Sequence, residues 1–170
     1  MQEAIFLKEL VRQVRRDTLR LFKLAPSERL TWAPPGTANH LLWHAGHALW
    51  LQDHFIVEPV TGESELSTGW RALFASGSNP AAPPRRWPGR EQMDHQLREQ
   101  VPRLAAVLDT LHAGKLPPSM RHHDAQVQFL RNAIHGLHDE ARHQGEMFLI
   151  IKLCRTAAAN AAPGPATQAG

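Results

Sequence analysis

The sequence predicts an all-α protein, and three observations carry that reading. Apolar residues recur at helical spacing over four long stretches. No stretch shows the alternation of β-branched and polar residues that marks a strand. Proline and glycine gather mostly between the four stretches, where they act as stops and turns. Four long helices in a chain of 170 residues imply a four-helix bundle. The longest connection falls between helices two and three, so the bundle carries a long crossover there.

The first helix spans Glu3–Leu24. Ile5, Leu7, Leu10, Val11, Val14, Leu19, Leu21 and Phe22 form its apolar pattern, with Lys8, Arg12, Arg15, Arg16 and Arg20 between them. Pro26 ends it, and residues 27–30 suit a short helical turn. Ala33-Pro34-Pro35-Gly36 is a stop and a turn. Thr37 is a suitable N-cap for the second helix, which runs to about His54 on Leu41, Leu42, Trp43, Ala45, Ala48, Leu49 and Trp50. Residues 55–89, rich in proline and glycine, read as irregular apart from one helical turn at residues 69–74. A segment this long is either a crossover or a cover over something. The third helix, Arg90–His112, carries Met93, Leu97, Val101, Leu104, Val107, Leu108 and Leu111, with a kink expected at Pro102. Gly114 and Pro117-Pro118 precede the fourth helix at residues 124–155. The two shorter connections suit antiparallel neighbours. Residues 1–155 thus form a single domain. The uncharged tail, residues 156–170, is expected to be disordered or loosely packed.

Composition excludes several function classes. The one cysteine, Cys154, rules out an intramolecular disulfide framework and a multi-cysteine zinc site, and its apolar neighbourhood reads as a buried structural thiol. No apolar run approaches the roughly 20 residues a membrane span needs. The N-terminus lacks the pattern of a signal peptide, so a cytoplasmic location is expected, with no membrane partner. Net charge is +3, and the arginines sit among acids and apolar residues without a nucleic-acid-binding signature. A nucleic-acid partner is therefore not expected.

Histidine is the informative residue. There are 11, with four in residues 40–54 and three in residues 135–143. His44 and His47 are three apart and share a helix face, which His40 joins. His135, Asp139 and His143 form an i, i+4, i+8 stripe. Imidazole and carboxylate four residues apart can meet one first-row divalent ion, zinc or nickel by ligand type. A further ligand from a facing helix completes three and leaves one position open, the layout of a catalytic site. His47, His143 and Asp139 are the leading ligands. His44, His135 and His138 remain as outer-shell partners or alternative ligands. By helical geometry His138 lies about 140° round from His143, and His135 about 12 Å along the axis, where it suits an outer-shell partner of Asp139. Glu140-Ala-Arg-His143 matches the Glu-x-x-His of di-iron bundles, but no second copy exists.

Two stretches carry a family resemblance. Asn39-His-Leu-Leu-Trp-His-Ala-Gly-His47 and Asp139-Glu-Ala-Arg-His-Gln-Gly-Glu146 resemble the signatures of the DinB-like (YfiT-like) superfamily of metal-binding four-helix bundles. Helix order and the long crossover fit it over about residues 3–155. Carried over by position, the resemblance places the metal ligands at His47, Asp139 and His143. Asp139 departs from the family's commonest residue there, histidine, although its thiol-dependent isomerases and transferases can use a carboxylate. Gly145 is expected to allow close helix packing, and Gln144 and Glu146 to be outer-shell or surface groups. The resemblance implies a metal-dependent enzyme with water or a thiol in the open position, either a thiol-dependent transferase or a hydrolase. Its partners would be a small-molecule substrate and a low-molecular-weight thiol. The rival expectation is a non-catalytic metal- or ligand-binding bundle that pairs as a homodimer.

Overall fold

The computed structural model describes residues 1–80 and 87–161, with side chains as far as residue 157. Every regular element among the described residues is helical. The long ones are α1 (Glu3–Leu24), α2 (Leu41–Gln52), α5 (Arg90–His112) and α6 (His123–Ala161). Two short helices, α3 (Glu58–Thr61) and α4 (Thr68–Phe74), lie between α2 and α5. The all-α expectation therefore holds.

α1 and α5 occupy the ranges their apolar patterns predict, and α5 carries Pro102 without ending. Three expectations about where elements begin, continue and end change. The N-cap of α2 is His40 and not Thr37, whose hydroxyl instead donates to the Pro34 carbonyl and closes the Pro34–Thr37 turn. The His40 side chain accepts a hydrogen bond from the Trp43 N–H at 3.0 Å, the task that serine or aspartate usually performs. Residues 55–61 are not irregular. A π turn, Asp53–Val57, continues α2 and leads into α3. Pro59 lacks the N–H that an α-helix would donate to residue 55, and the ladder widens just ahead of it, with the Glu58 N–H bonding back to the Asp53 carbonyl. Gly62, in the left-handed region at φ 86°, then stops the helix. Finally, α6 runs past residue 155 to Ala161, because its alanines are strong helix formers. The rest of the predicted tail, residues 162–170, lies outside the described residues.

α1 packs along α5 and α6, and α2 packs along the same two. The two sequence-adjacent pairs, α1 with α2 and α5 with α6, have much less contact. Short connections thus do not join packed neighbours here, contrary to the sequence expectation. The N-terminus of α1 meets the end of α5 through Met1, which donates to the Leu111 carbonyl at 2.8 Å. Arg90, at the start of α5, donates to the Phe22 carbonyl at 2.9 Å, so the two helices are antiparallel.

The apolar interior falls into two clusters. One holds Leu21, Phe22, Leu41, Leu49, Met93, Leu97, Met147 and Ile151. The other holds Leu7, Val11, Ile56, Leu104, Leu108, Phe129 and Leu137. Between them lies a buried polar layer built from all four long helices. Arg15 of α1 donates from Nε to Glu140 Oε1 of α6 at 2.9 Å and from Nη2 to Oε2 at 3.2 Å. Thr18 and Gln52 donate to the same carboxylate at 2.7 and 2.8 Å. Arg15 also donates to Gln100 Oε1 at 2.9 Å and to the Ala48 carbonyl at 3.0 Å, and Gln100 donates to the Leu49 carbonyl at 2.9 Å. Arg15 and Glu140 are both about 1% exposed.

Removing one partner strands the other charge in the interior, which costs about 3–5 kcal/mol. Glu140→Ala should lower the unfolding free energy by that amount, and Arg15→Met with Glu140→Leu together should recover most of it. Urea unfolding of the three proteins checks this, and a Glu140→Ala protein as stable as the wild type would contradict it. A second expectation concerns acid. Burial holds His40 down at about 4 in the folded chain, against 6.5 when unfolded, and the ring lies edge-on to Trp87 at 4.6 Å. The neutral ring is the folded form, so its contribution is complete above pH 6.5 and is lost as pH falls from 6.5 towards 4. His40→Asn keeps a capping acceptor without titrating. Its stability should fall less steeply over that window, by about one proton's slope, in denaturation series measured from pH 7 to pH 4.

Candidate metal centre

α2 is buried almost all round, and His47 sits in its middle, 4% exposed. Positions i−4 and i+3 carry Trp43 and Trp50, whose rings cover both faces of the imidazole. The centroid separations are 4.6 and 5.2 Å and the interplanar angles 11° and 22°. Only the ring's edges remain. On one edge Nδ1 lies 2.7 Å from the carbonyl of Phe74, the last residue of α4. That carbonyl is one of the acceptors a helix C-terminus leaves without an internal partner. A carbonyl only accepts, so Nδ1 carries the proton and Nε2 presents a lone pair. Burial lowers the pKa of His47, with the Phe74 bond opposing it in part, and the ring is neutral.

α6 supplies the facing groups. Asp139 and His143 are four apart and point towards α2. Asp139 Oδ2 lies 3.8 Å from His47 Nε2 and 3.9 Å from His143 Nε2, too far for direct hydrogen bonds. The ligand atoms of these three residues all lie within 4.8 Å of one another. The other carboxylate oxygen, Oδ1, is taken by Arg142 at 2.5 Å. Behind His143, its Nδ1 meets His44 Nδ1 at 2.9 Å. Burial first, then repulsion from His143, pushes His44 down to about 3, so this ring too is neutral. Glu146 Oε2 stands 3.3 Å from His44 Nε2 and 3.6 Å from His143 Nδ1, and these three residues form a second group within 4.8 Å.

The structure therefore brings His47, Asp139 and His143 together and sets His44 against His143. Two of the alternatives are not brought to this cluster. His138 is exposed on another face of α6. His135 is exposed and packs edge-on against Phe55 at 5.6 Å, while Arg142 takes the place foreseen for it beside Asp139. Gln144 reaches α1, donating to the Val14 carbonyl at 2.7 Å. Gly145 does not serve close packing, since a Cβ there meets nothing within 4 Å. Gly46 does: a Cβ would lie 2.2 Å from the Phe74 ring, so its absence lets α4 seat against α2. Burial raises the Cys154 thiol, in keeping with a structural role. Sequence reasoning missed Arg142 and the Phe74 carbonyl. The first was legible as a cation three residues from Asp139; the second is a backbone atom and leaves no sequence signal.

A cavity of about 170 Å³ opens beside His44 and Glu146, floored by Leu149, Ile150 and Leu153. A groove of about 410 Å³ lies elsewhere, between α1 and α5, lined by Arg12, Arg16, Arg20, Lys23 and Arg98. It shares no residue with the histidine cluster.

The donor chemistry fits a divalent ion. Two imidazoles and a carboxylate oxygen are ligands that zinc-like ions take, and an imidazole whose second nitrogen bonds a carbonyl is a usual outer-shell arrangement. The 3.8 and 3.9 Å separations of Asp139 Oδ2 from the two imidazole nitrogens are somewhat wider than the about 3.4 Å edge of a tetrahedron around such an ion, so the groups must draw in slightly to share one.

An all-helical chain with a buried His–Asp–His cluster across two helices is the class that fold and site define. The profile of the DinB superfamily matches residues 10–147, and the chain belongs to that superfamily. No curated protein and no solved structure matches the chain significantly.

The contact between Gly46 and Phe74 generates a test. Gly46→Ala should destabilise the protein by about 1–3 kcal/mol through overpacking and shift the Phe74 carbonyl off His47. Gly145→Ala, with open space around it, should leave stability unchanged or raise it by up to about 1 kcal/mol. Urea melts of both variants decide; equal stability of Gly46→Ala and wild type would contradict the close approach.

Proposed function

We propose that this protein is a divalent-metal-dependent enzyme of the DinB superfamily, with zinc or nickel held by His47, Asp139 and His143. The observation that carries the proposal is the convergence of a ring nitrogen of His47, a carboxylate oxygen of Asp139 and a ring nitrogen of His143, all within 4.8 Å of one another. His47 Nε2 bears a lone pair because Phe74 holds the proton at Nδ1. Asp139 Oδ2 faces it at 3.8 Å. Acceptors gathered away from water repel one another unless a cation lies between them.

A bound ion in such a site supplies a Lewis-acidic position that lowers the pKa of a water or thiol held there. The chain's own groups prepare that position. Trp43 and Trp50 clamp the His47 ring and keep bulk water from its faces. Arg142 engages Asp139 Oδ1 and leaves Oδ2 turned towards the imidazoles. Three protein ligands leave an open coordination position, which supports a thiol-dependent transferase or a hydrolase acting on a small molecule, with a low-molecular-weight thiol as partner. The enclosing architecture would be one four-helix-bundle domain over residues 1–155, crossed between α2 and α5 by residues 55–89.

The test is metal content together with fold. The wild type should take up one divalent ion per chain. His47→Ala, Asp139→Ala and His143→Ala should each lose stoichiometric uptake while keeping their helical circular dichroism. His138→Ala should keep the ion. Retention of the ion by the His47→Ala, His143→Ala double variant would contradict the assignment.

A further inference from the structure

We propose that Glu146 and His44 form a relay that fixes the proton of His143 on Nδ1 and turns its Nε2 lone pair towards His47 and Asp139. The inference rests on the metal-centre reading for its purpose, but its evidence is separate.

His143 Nδ1 and His44 Nδ1 stand 2.9 Å apart. At hydrogen-bond distance one of the two nitrogens must donate and the other accept. Two arrangements exist. In the first, His143 Nδ1–H donates to His44 Nδ1, and the remaining proton of His44 sits on Nε2. In the second, His44 Nδ1–H donates, which leaves lone pairs on both His44 Nε2 and His143 Nδ1.

Glu146 discriminates between them. Its Oε2 lies 3.3 Å from His44 Nε2 and 3.6 Å from His143 Nδ1. In the second arrangement a carboxylate oxygen faces two lone pairs. In the first it faces two N–H groups. Coulomb's law favours the first at both nitrogens, and both rings are buried, where such differences are screened least. The consequence reaches the far edge of His143. With the proton held on Nδ1, Nε2 is an acceptor, as His47 Nε2 is by virtue of the Phe74 carbonyl. One imidazole is therefore set by a backbone carbonyl and the other by a histidine–carboxylate pair. Glu146 is a positioning residue that touches no reacting atom. It is half-exposed and borders the 170 Å³ cavity, so its charge remains solvated while it acts.

The experiment has two arms. In the first, ¹⁵N-histidine NMR at pH 7 on the metal-free chain reads which ring nitrogen carries each proton. Wild type should show His143 protonated at Nδ1 and His44 at Nε2. Glu146→Gln, which keeps an acceptor, should retain that pattern, and Glu146→Ala should give mixed tautomers. His143 protonated at Nε2 in the wild type, or an unchanged pattern in Glu146→Ala, overturns the relay. In the second arm, zinc affinity is measured by chelator competition. His44→Ala should bind zinc about 10–100-fold more weakly. The His44→Ala, Glu146→Ala double variant should bind no more weakly than His44→Ala alone, because both act along one path. Wild-type zinc binding with no loss in His44→Ala overturns the relay and leaves the metal centre standing. Two zinc ions per chain also overturn it, since an ion at His44, His143 and Glu146 would take the same nitrogens. The predicted tautomers in a chain that binds no zinc uphold the relay and overturn the metal centre.

Discussion

The buried ion pair between Arg15 and Glu140 is the constraint on which the rest of the structure depends. It stands between two apolar clusters and is completed by Thr18, Gln52 and Gln100, so every long helix contributes to it. Such a pair adds little stability over a well-packed apolar layer, but it tolerates no error. A slip of α6 by one residue moves its side chains about 1.5 Å along the axis and turns them about 100°. Glu140 would then leave Arg15 without a partner in the interior. The apolar clusters alone accept such slips far more readily, because dispersion contacts are numerous and non-directional. Register in this fold is accordingly set by hydrogen bonds, and burial supplies the driving force.

That register also places the candidate centre. Asp139 precedes Glu140, and His143 follows it by three residues. With Glu140 turned inward to Arg15, Asp139 and His143 are carried to the side facing α2. On α2, Gln52 donates to the same carboxylate, which fixes the height of His47 five residues earlier. The polar layer and the histidine cluster are thus adjacent levels of one assembly. The short helix α4 completes it from outside, through Phe74 against Gly46 and the Phe74 carbonyl on His47.

Much of this was legible in the residues. The ranges of α1 and α5 follow from apolar periodicity, and the i, i+4 spacing of Asp139 and His143 brings them to one level. The start of α2 was not, because an imidazole rather than a hydroxyl caps it. Nor were the helical turns before Gly62, because Pro59 and nearby glycines read as breakers when they in fact mark a widened turn and a stop. His135 was placed by helix geometry alone, which says nothing of Phe55 competing for its ring or of Arg142 competing for Asp139. The polar layer was missed, although its signal is present. Arg15 interrupts the stripe Leu7, Val11, Phe22; Gln100 interrupts Leu97, Leu104; Glu140 interrupts Leu137, Met147; and Gln52 interrupts Leu49, Ile56. One polar residue at a core position on each of four helices is better read as a shared network than as four accidents.

The most direct measurement is a crystal structure of the protein grown with zinc, with an anomalous difference map collected at the zinc edge. The account predicts one strong peak bounded by His47 Nε2, Asp139 Oδ2 and His143 Nε2, with Arg15 still paired to Glu140 one level away. A peak displaced to His44 and Glu146, or no peak in the histidine cluster at all, would contradict it.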